Sequence, residues 1–210
     1  TISGEGALYV TGSYNDGISS KDELVIESGN ITVTAVDDGI RGKDSIVVED
    51  GAITVTAGGD GLKSDNEEDA ERGYITIENG LVTVNAGGDA LSAETDVTIN
   101  GGEFALTSGG GSATVISEDL SAKAIKGGAG VTIADGVFLI DAADDGIHSN
   151  GTVTIDGGDL SIASGDDGIH ADGSDPTLAS RVANTWAQTF ISTNLERRFD
   201  ASSYAKTFLE

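Results

Sequence analysis

The chain has 210 residues, enough for one large domain, with 31 glycines, one proline and no cysteine. A formal charge of −25 excludes a phosphate-binding surface, so nucleic acid is not a partner, and the same charge repels an anionic membrane face. Without cysteine there is neither a disulfide framework nor a thiolate metal site, and no apolar run approaches the roughly 18 residues of a membrane span.

The first element is a partial coil carrying Leu8 and Val10, with Tyr9 and Tyr14 beside it. Asn15-Asp16-Gly17-Ile18 then opens a phrase that returns as Asp37-Asp38-Gly39-Ile40 and Gly59-Asp60-Gly61-Leu62. It comes back after a longer step as Gly88-Asp89-Ala90-Leu91, and finally as Asp144-Asp145-Gly146-Ile147 and Asp166-Asp167-Gly168-Ile169. The basic step is 22 residues, and a fixed period of that size marks a solenoid.

Residues 16–37 form one coil. Ile18 follows the glycine turn. Leu24-Val25-Ile26 is a short strand, Glu27-Ser28-Gly29 turns a corner, and Ile31-Thr32-Val33-Thr34-Ala35 alternates apolar in and threonine out. Three short strands bury nothing alone, so coils must stack. Each column continues. Leu24 and Ile26 become Ile46 and Val48, Ile75 and Ile77, Val97 and Ile99, Val131 and Ile133, Val153 and Ile155. Ile31 and Val33 become Ile53 and Val55, Val82 and Val84, Phe104 and Leu106, Phe138 and Ile140, Leu160 and Ile162. The corner glycine recurs as Gly51, Gly80, Gly102, Gly136 and Gly158. The pattern predicts an all-β chain, a right-handed parallel β-helix of about seven coils, roughly 34 Å long at strand spacing. Two insertions interrupt it, at 66–72 and 109–120, and are expected on one flank.

One carboxylate per turn falls at the same point of successive coils. Two ionised carboxylates about 5 Å apart repel by about 3 kcal/mol at a protein-surface dielectric. Cations held between coils would relieve that, and calcium accepts six to eight hard oxygens in loose geometry. The candidate ligands are Asp16, Asp37, Asp38, Asp60, Asp89, Asp144, Asp145, Asp166 and Asp167. A single Asp-Gly reads as a turn former, and it is the whole stack that points to calcium. In one coil Lys123 replaces the aspartate, where it can neutralise the stack from within.

Three residues later runs a second column: Ser19, Arg41, Lys63, Ser92, Lys126, His148 and His170. It is read either as ion pairs across coils, each worth little, or as a track for acidic sugars in which Arg41, Lys63, Lys126, His148 and His170 bind carbohydrate. The histidines titrate near neutral pH, and no motif assigns them catalysis or zinc.

The glycine turns end near Pro176. Leu178, Val182, Trp186 and Phe190 then run at i+4, predicting an amphipathic helix with Pro176 in its first turn. The expected division is a parallel β-helix over 1–175 and a C-terminal α-helix over 176–210, the latter either covering the β-helix end or fused to it. The chain opens on Thr1, read as the start of a mature or excised fragment.

The phrases 144–158 (Asp-Asp-Gly-Ile-His-Ser-Asn-Gly-Thr-Val-Thr-Ile-Asp-Gly-Gly) and 165–173 (Gly-Asp-Asp-Gly-Ile-His-Ala-Asp-Gly), with Asp37-Asp38-Gly39-Ile40-Arg41-Gly42-Lys43-Asp44, carry a resemblance. Residues 1–175 resemble bacterial cell-surface carbohydrate-binding proteins built as calcium-loaded, right-handed parallel β-helices similar in fold to pectate lyases. The resemblance implies calcium at the Asp-Gly turns, an extracellular or cell-surface location, and non-catalytic binding of cellulose or a pectin-like polyuronate. The alternatives are a calcium-dependent pectate-type lyase with Arg41 as base, and a structural or adhesive stalk. The tail from Asp175 to Phe199 resembles a helical segment of chain-length determinant proteins of polysaccharide export, which implies a helix and no activity.

Overall fold

The computed structural model describes residues 1–117 and 120–173. The chain divides into two units, Thr1–Gly173 and Ser174–Glu210. The helix expected over 176–210 lies outside the described residues.

Each coil contributes up to three strands, and like strands stack in parallel into three sheets. The first sheet has seven six-residue strands: Ala7–Gly12, Asn30–Ala35, Ala52–Ala57, Leu81–Ala86, Glu103–Ser108, Val137–Ala142 and Asp159–Ser164. The second has seven three-residue strands: Ile18–Ser20, Ile40–Gly42, Leu62–Ser64, Leu91–Ala93, Ile125–Gly127, Ile147–Ser149 and Ile169–Ala171. The third has six four-residue strands: Glu23–Ile26, Ser45–Val48, Tyr74–Ile77, Asp96–Ile99, Gly130–Ile133 and Thr152–Ile155. This is a parallel β-helix.

The register follows the apolar columns. Leu24 pairs with Ile46, Ile46 with Ile75, and the ladder runs on to Val153. Ile31 stacks on Ile53, then Val82, Phe104, Phe138 and Leu160. A slip of one residue would turn every side chain to the other face, so burial of one face fixes the pairing. The inward residues of the middle coils fill the tube. Ile26, Ile46, Ile75, Ile77, Leu91, Ile99 and Ile147 are fully buried. The corner glycines carry positive φ, as at Gly80 (125°), and a Cβ there would stand 2.8 Å from the Gly51 carbonyl oxygen of the coil beside it. An L side chain strains that backbone and finds no room.

The two insertions leave from different corners. Residues 66–72 lie between a three-residue and a four-residue strand, while 109–120 lie between a six-residue and a three-residue strand. They therefore border the three-residue sheet from its two sides instead of sharing one corner. In the first, Asn66 Oδ1 accepts the N–H groups of Glu68 and Asp69, and Arg72 pairs with Asp44 and Asp69. The acidic run is thus tied to the coil before it. In the second, Gly109, Gly110 and Gly111 all have positive φ, and Asp141 accepts the Ser112 N–H at 2.6 Å.

Candidate functional site

The aspartate and cation columns form one structure along the three-residue sheet. The strand register stacks Ser19, Arg41, Lys63, Ser92, Lys126, His148 and His170 in order. Lys63, Ser92, His148 and His170 each meet the aspartate three residues earlier, Asp60, Asp89, Asp145 and Asp167, whereas Arg41 and Lys126 reach acids of an adjacent coil.

The middle aspartates are satisfied from within. Asp60 N–H donates to Asp38 Oδ1 at 2.9 Å, and Asp89 N–H donates to Asp60 Oδ1 at 2.8 Å. Lys123 N–H donates to Asp89 Oδ1 at 2.8 Å, and Asp167 N–H donates to Asp145 Oδ1 at 3.0 Å. One oxygen of each carboxylate thus fixes the backbone of the adjacent coil. The second oxygen meets the cation column. Lys63 Nζ bridges Asp38 Oδ2 at 3.2 Å and Asp60 Oδ2 at 3.0 Å, and Lys126 Nζ lies 3.4 Å from Asp89 Oδ2. His148 Nδ1 is 2.8 Å from Asp145 Oδ2. The acid repulsion that suggests metal at every coil is offset here by N–H groups and lysines. The ion-pair reading of the second column describes Lys63 and Lys126 as placed.

Titration follows this packing. Burial pushes the Asp60 carboxyl up, the charge of Asp89 adds to that, and Lys63 opposes it. Burial alone would lower Lys63, but Asp60 and then Asp38 raise its ammonium above the ordinary lysine value. The hydrogen bond from His170 to Asp172 raises the His170 imidazole, burial opposes it, and the charges of Asp145, Asp172 and Asp167 add to the rise. Arg41 turns away from the acids of its own coil. Its Nε and Nη2 donate to Asp65 Oδ2 at 3.0 and 2.8 Å, and that contact raises its already high pKa.

Acids gather with only partial internal neutralisation nearer the two ends, where Lys63 pairs with Asp38 and His148 meets Asp145. Oxygens of Asp16, Asp37 and Asp38 lie within 4.8 Å of one another, as do those of Asp144, Asp145 and Asp166. Among the described residues no ion pair reaches Asp16, Asp37 or Asp166, although Lys123 pairs with Asp144. The sequence carried a signal for this split: the position before each member of the column, six aspartates and Lys123, reads Asn15, Asp37, Gly59, Gly88, Ala122, Asp144, Asp166. Middle coils lack the second acid, and Gly59 and Gly88 leave space for the carboxylates of the adjacent coil. Asp60 and Asp89, candidate ligands by spacing, belong to no three-acid cluster among the described residues. Asp167 lies beside His170, with Oδ2 at 3.2 Å from Nδ1.

The pair at Lys123 and Asp144 has a pH consequence. Burial raises the Asp144 carboxyl, but the Lys123 hydrogen bond and charge and two backbone contacts outweigh it, leaving it below the ordinary 3.8. A depressed carboxyl stabilises the fold above its unfolded pKa, and that contribution fades as pH falls through the folded value. Lys123→Met should therefore cost about 1–2 kcal/mol at pH 7. The gap from the parent should narrow below about pH 4. Urea unfolding at pH 7 and pH 3 measures it, and a gap that is constant with pH would dismiss the pair.

A shallow groove of about 510 Å³ lies elsewhere, at the corner between the six-residue and four-residue sheets, lined by Asn79, Gly102, Glu103, Asp135, Gly136 and Asp159 among others. Stacked Phe104 and Phe138 lie beneath that corner, with ring centroids 4.5 Å apart.

Residues 1–168 match the family described as carbohydrate-binding domain-containing protein. No curated protein matches the chain. Among solved structures, the polysaccharide lyase-like protein from C. thermocellum, in its gadolinium derivative, is similar at 24% identity and a TM-score of 0.43. That alignment covers 80% of this chain and 50% of the other, so this chain spans about half the length of that protein. With four fifths of its length inside the family match, this β-helix belongs to the carbohydrate-binding domain-containing protein family.

Proposed function

We propose that this chain is a non-catalytic, calcium-stabilised polysaccharide-binding module of the bacterial cell surface, with a polyuronate or cellulose as ligand. The observation that carries the reading is the Asp16, Asp37 and Asp38 cluster in a chain of this family. The donor set fits calcium: three hard carboxylates, two of them without a cationic partner among the described residues, and no sulfur. Three carboxylates leave room in a six- to eight-oxygen shell. A uronate carboxylate can fill part of that shell, which favours acidic polymers over neutral ones. Tyr9 and Tyr14, 78% and 93% exposed, offer stacking faces to a neutral sugar chain near the same end.

The geometry at Arg41 weighs against the lyase alternative. A lyase base must lose its proton, whereas the Arg41 guanidinium is held charged by Asp65. A stalk without sugar binding is the remaining reading.

Pull-down on pectate gel and insoluble cellulose, with calcium and with chelator, tests the proposal. Calcium is expected to raise the melting temperature, by mass action on the native state, by an amount equivalent to about 2.7 kcal/mol at a hundredfold excess over Kd. Asp37→Asn should abolish that rise and weaken pectate retention, yet leave stability in chelator within about 0.5 kcal/mol of the parent, because Asp37 is exposed and unpaired among the described residues. Equal retention with and without calcium would count against the cation. No retention on either polymer would leave the stalk. An ultraviolet-absorbing unsaturated uronide that disappears in Arg41→Ala would establish the lyase.

A further inference from the structure

His148 and His170 are not used by the calcium reading. They stand in register on the last two three-residue strands, with ring centroids 5.0 Å apart and planes inclined at 54°. Their outer nitrogens have acceptor partners. His170 Nε2 is 3.0 Å from Asp172 Oδ1, and His148 Nε2 is 3.0 Å from Asn150 Oδ1. A carboxylate or an amide oxygen can only accept, so these contacts suit the tautomer in which each Nε2 carries the hydrogen. In neutral imidazoles that leaves both Nδ1 lone pairs free.

Both Nδ1 atoms converge on one oxygen. Asp145 Oδ2 lies 2.8 Å from His148 Nδ1 and 3.7 Å from His170 Nδ1. Asp145 Oδ1 is already taken by the Asp167 N–H. Asp145 is 3% exposed and His148 9% exposed, so water does little to separate these acceptors. In that tautomer three electron-rich atoms face one another, and a positive charge among them relieves the repulsion. Two imidazolium rings would supply it with protons; one divalent ion would supply it with neutral rings. Earlier coils meet the same need with the ammonium groups of Lys63 and Lys126, and at this place the column changes to imidazole.

We propose that Asp145 Oδ2, His148 Nδ1 and His170 Nδ1 form a three-ligand site for a borderline divalent transition metal of the zinc class. One ligand atom from each of the three residues lies within 4.8 Å of the others. Zinc bonds of about 2.0–2.1 Å in a tetrahedron set ligands about 3.4 Å apart, and the two observed spans of 2.8 and 3.7 Å bracket that edge. Nitrogen donors select zinc over calcium, which takes oxygen. The outer contacts to Asp172 and Asn150 are those that hold a ligating histidine in its tautomer and orientation. Asp167, on the exposed side, is placed to occupy or leave a fourth position.

The test uses the whole chain stripped with chelator and returned to buffer with excess calcium. Zn²⁺ titrated calorimetrically at pH 7.5 should bind one ion per chain, and Co²⁺ should give the visible absorption of a tetrahedral site that Zn²⁺ then bleaches. His148→Ala and His170→Ala should each remove the saturable event and the Co²⁺ bands. Asp172→Asn should weaken Zn²⁺ affinity about 10- to 100-fold with the bands retained. His170 is partly exposed, so its variant also serves as a control whose folding is checked by circular dichroism. Absence of saturable Zn²⁺ binding, binding unchanged in both histidine variants, or imidazole nitrogen shifts that stay doubly protonated with Zn²⁺ present would overturn the site. Loss of polysaccharide retention in Asp37→Asn with Zn²⁺ uptake intact would separate this site from the calcium reading, on which it does not rest.

Discussion

Asp89→Ala is expected to lower the unfolding free energy by about 3–5 kcal/mol, by the same amount in calcium and in chelator. Asp89 is 1% exposed. Its Oδ1 accepts from Ser121 Oγ at 2.7 Å and from Lys123 N–H at 2.8 Å, while Oδ2 faces Lys126 at 3.4 Å and Ser92 Oγ at 3.3 Å. Removing the carboxylate strands a backbone N–H and a half-buried ammonium, and unpaired buried groups bear their desolvation cost in full. The contact also ties the coil before the second insertion to the coil after it, across 34 residues of chain. Asp89→Asn keeps the Oδ1 acceptor and should recover part of the loss. Denaturant unfolding with and without chelator measures it. A loss under about 1 kcal/mol, or one confined to calcium, would mean that this column aspartate holds metal and not backbone.

Phe138→Ala should cost a similar amount, about 3–5 kcal/mol, for a different reason. Phe138 is 1% exposed and stacks on Phe104 at 4.5 Å with planes 4° apart. Deleting the ring removes its own transfer free energy and leaves a void that parallel strands on both sides resist closing. The ring also underlies the corner glycine: a Cβ on Gly136 would meet Phe138 Cε2 at 2.8 Å. Its loss should loosen that corner and the groove it lines. Phe138→Leu, nearer in volume, should cost less than about 1.5 kcal/mol. Chemical denaturation measures both, and a small loss in Phe138→Ala would mean that the coils repack around the gap.

These two residues illustrate how far the sequence reaches. Phe138 was placed by counting, since its position in the third apolar column follows from Ile31, Ile53, Val82 and Phe104, and the structure pairs it with Phe104 as that count requires. The repeat is a local property written many times, and a one-residue slip would expose a whole column. Coil number, strand register, corner glycines and the order of the cation column were therefore all legible. Asp89 was placed by the same counting, yet its chemistry was not. Column membership says that carboxylates stack; it does not say where each oxygen points.

The amino-acid order alone determined the parallel β-helix, because period-2 alternation inside a 22-residue repeat buries its apolar face only by stacking. The tertiary structure alone decided how the acids are neutralised. A carboxylate finds an N–H one coil away, at separations of 22, 29 or 34 residues, only after the chain has wound around the tube. The same winding gathers Asp16 with Asp37 and Asp38, and Asp145 with His148 and His170. Charge balance within a few ångströms depends on side-chain direction, and direction is fixed by packing between coils that the linear order does not contain.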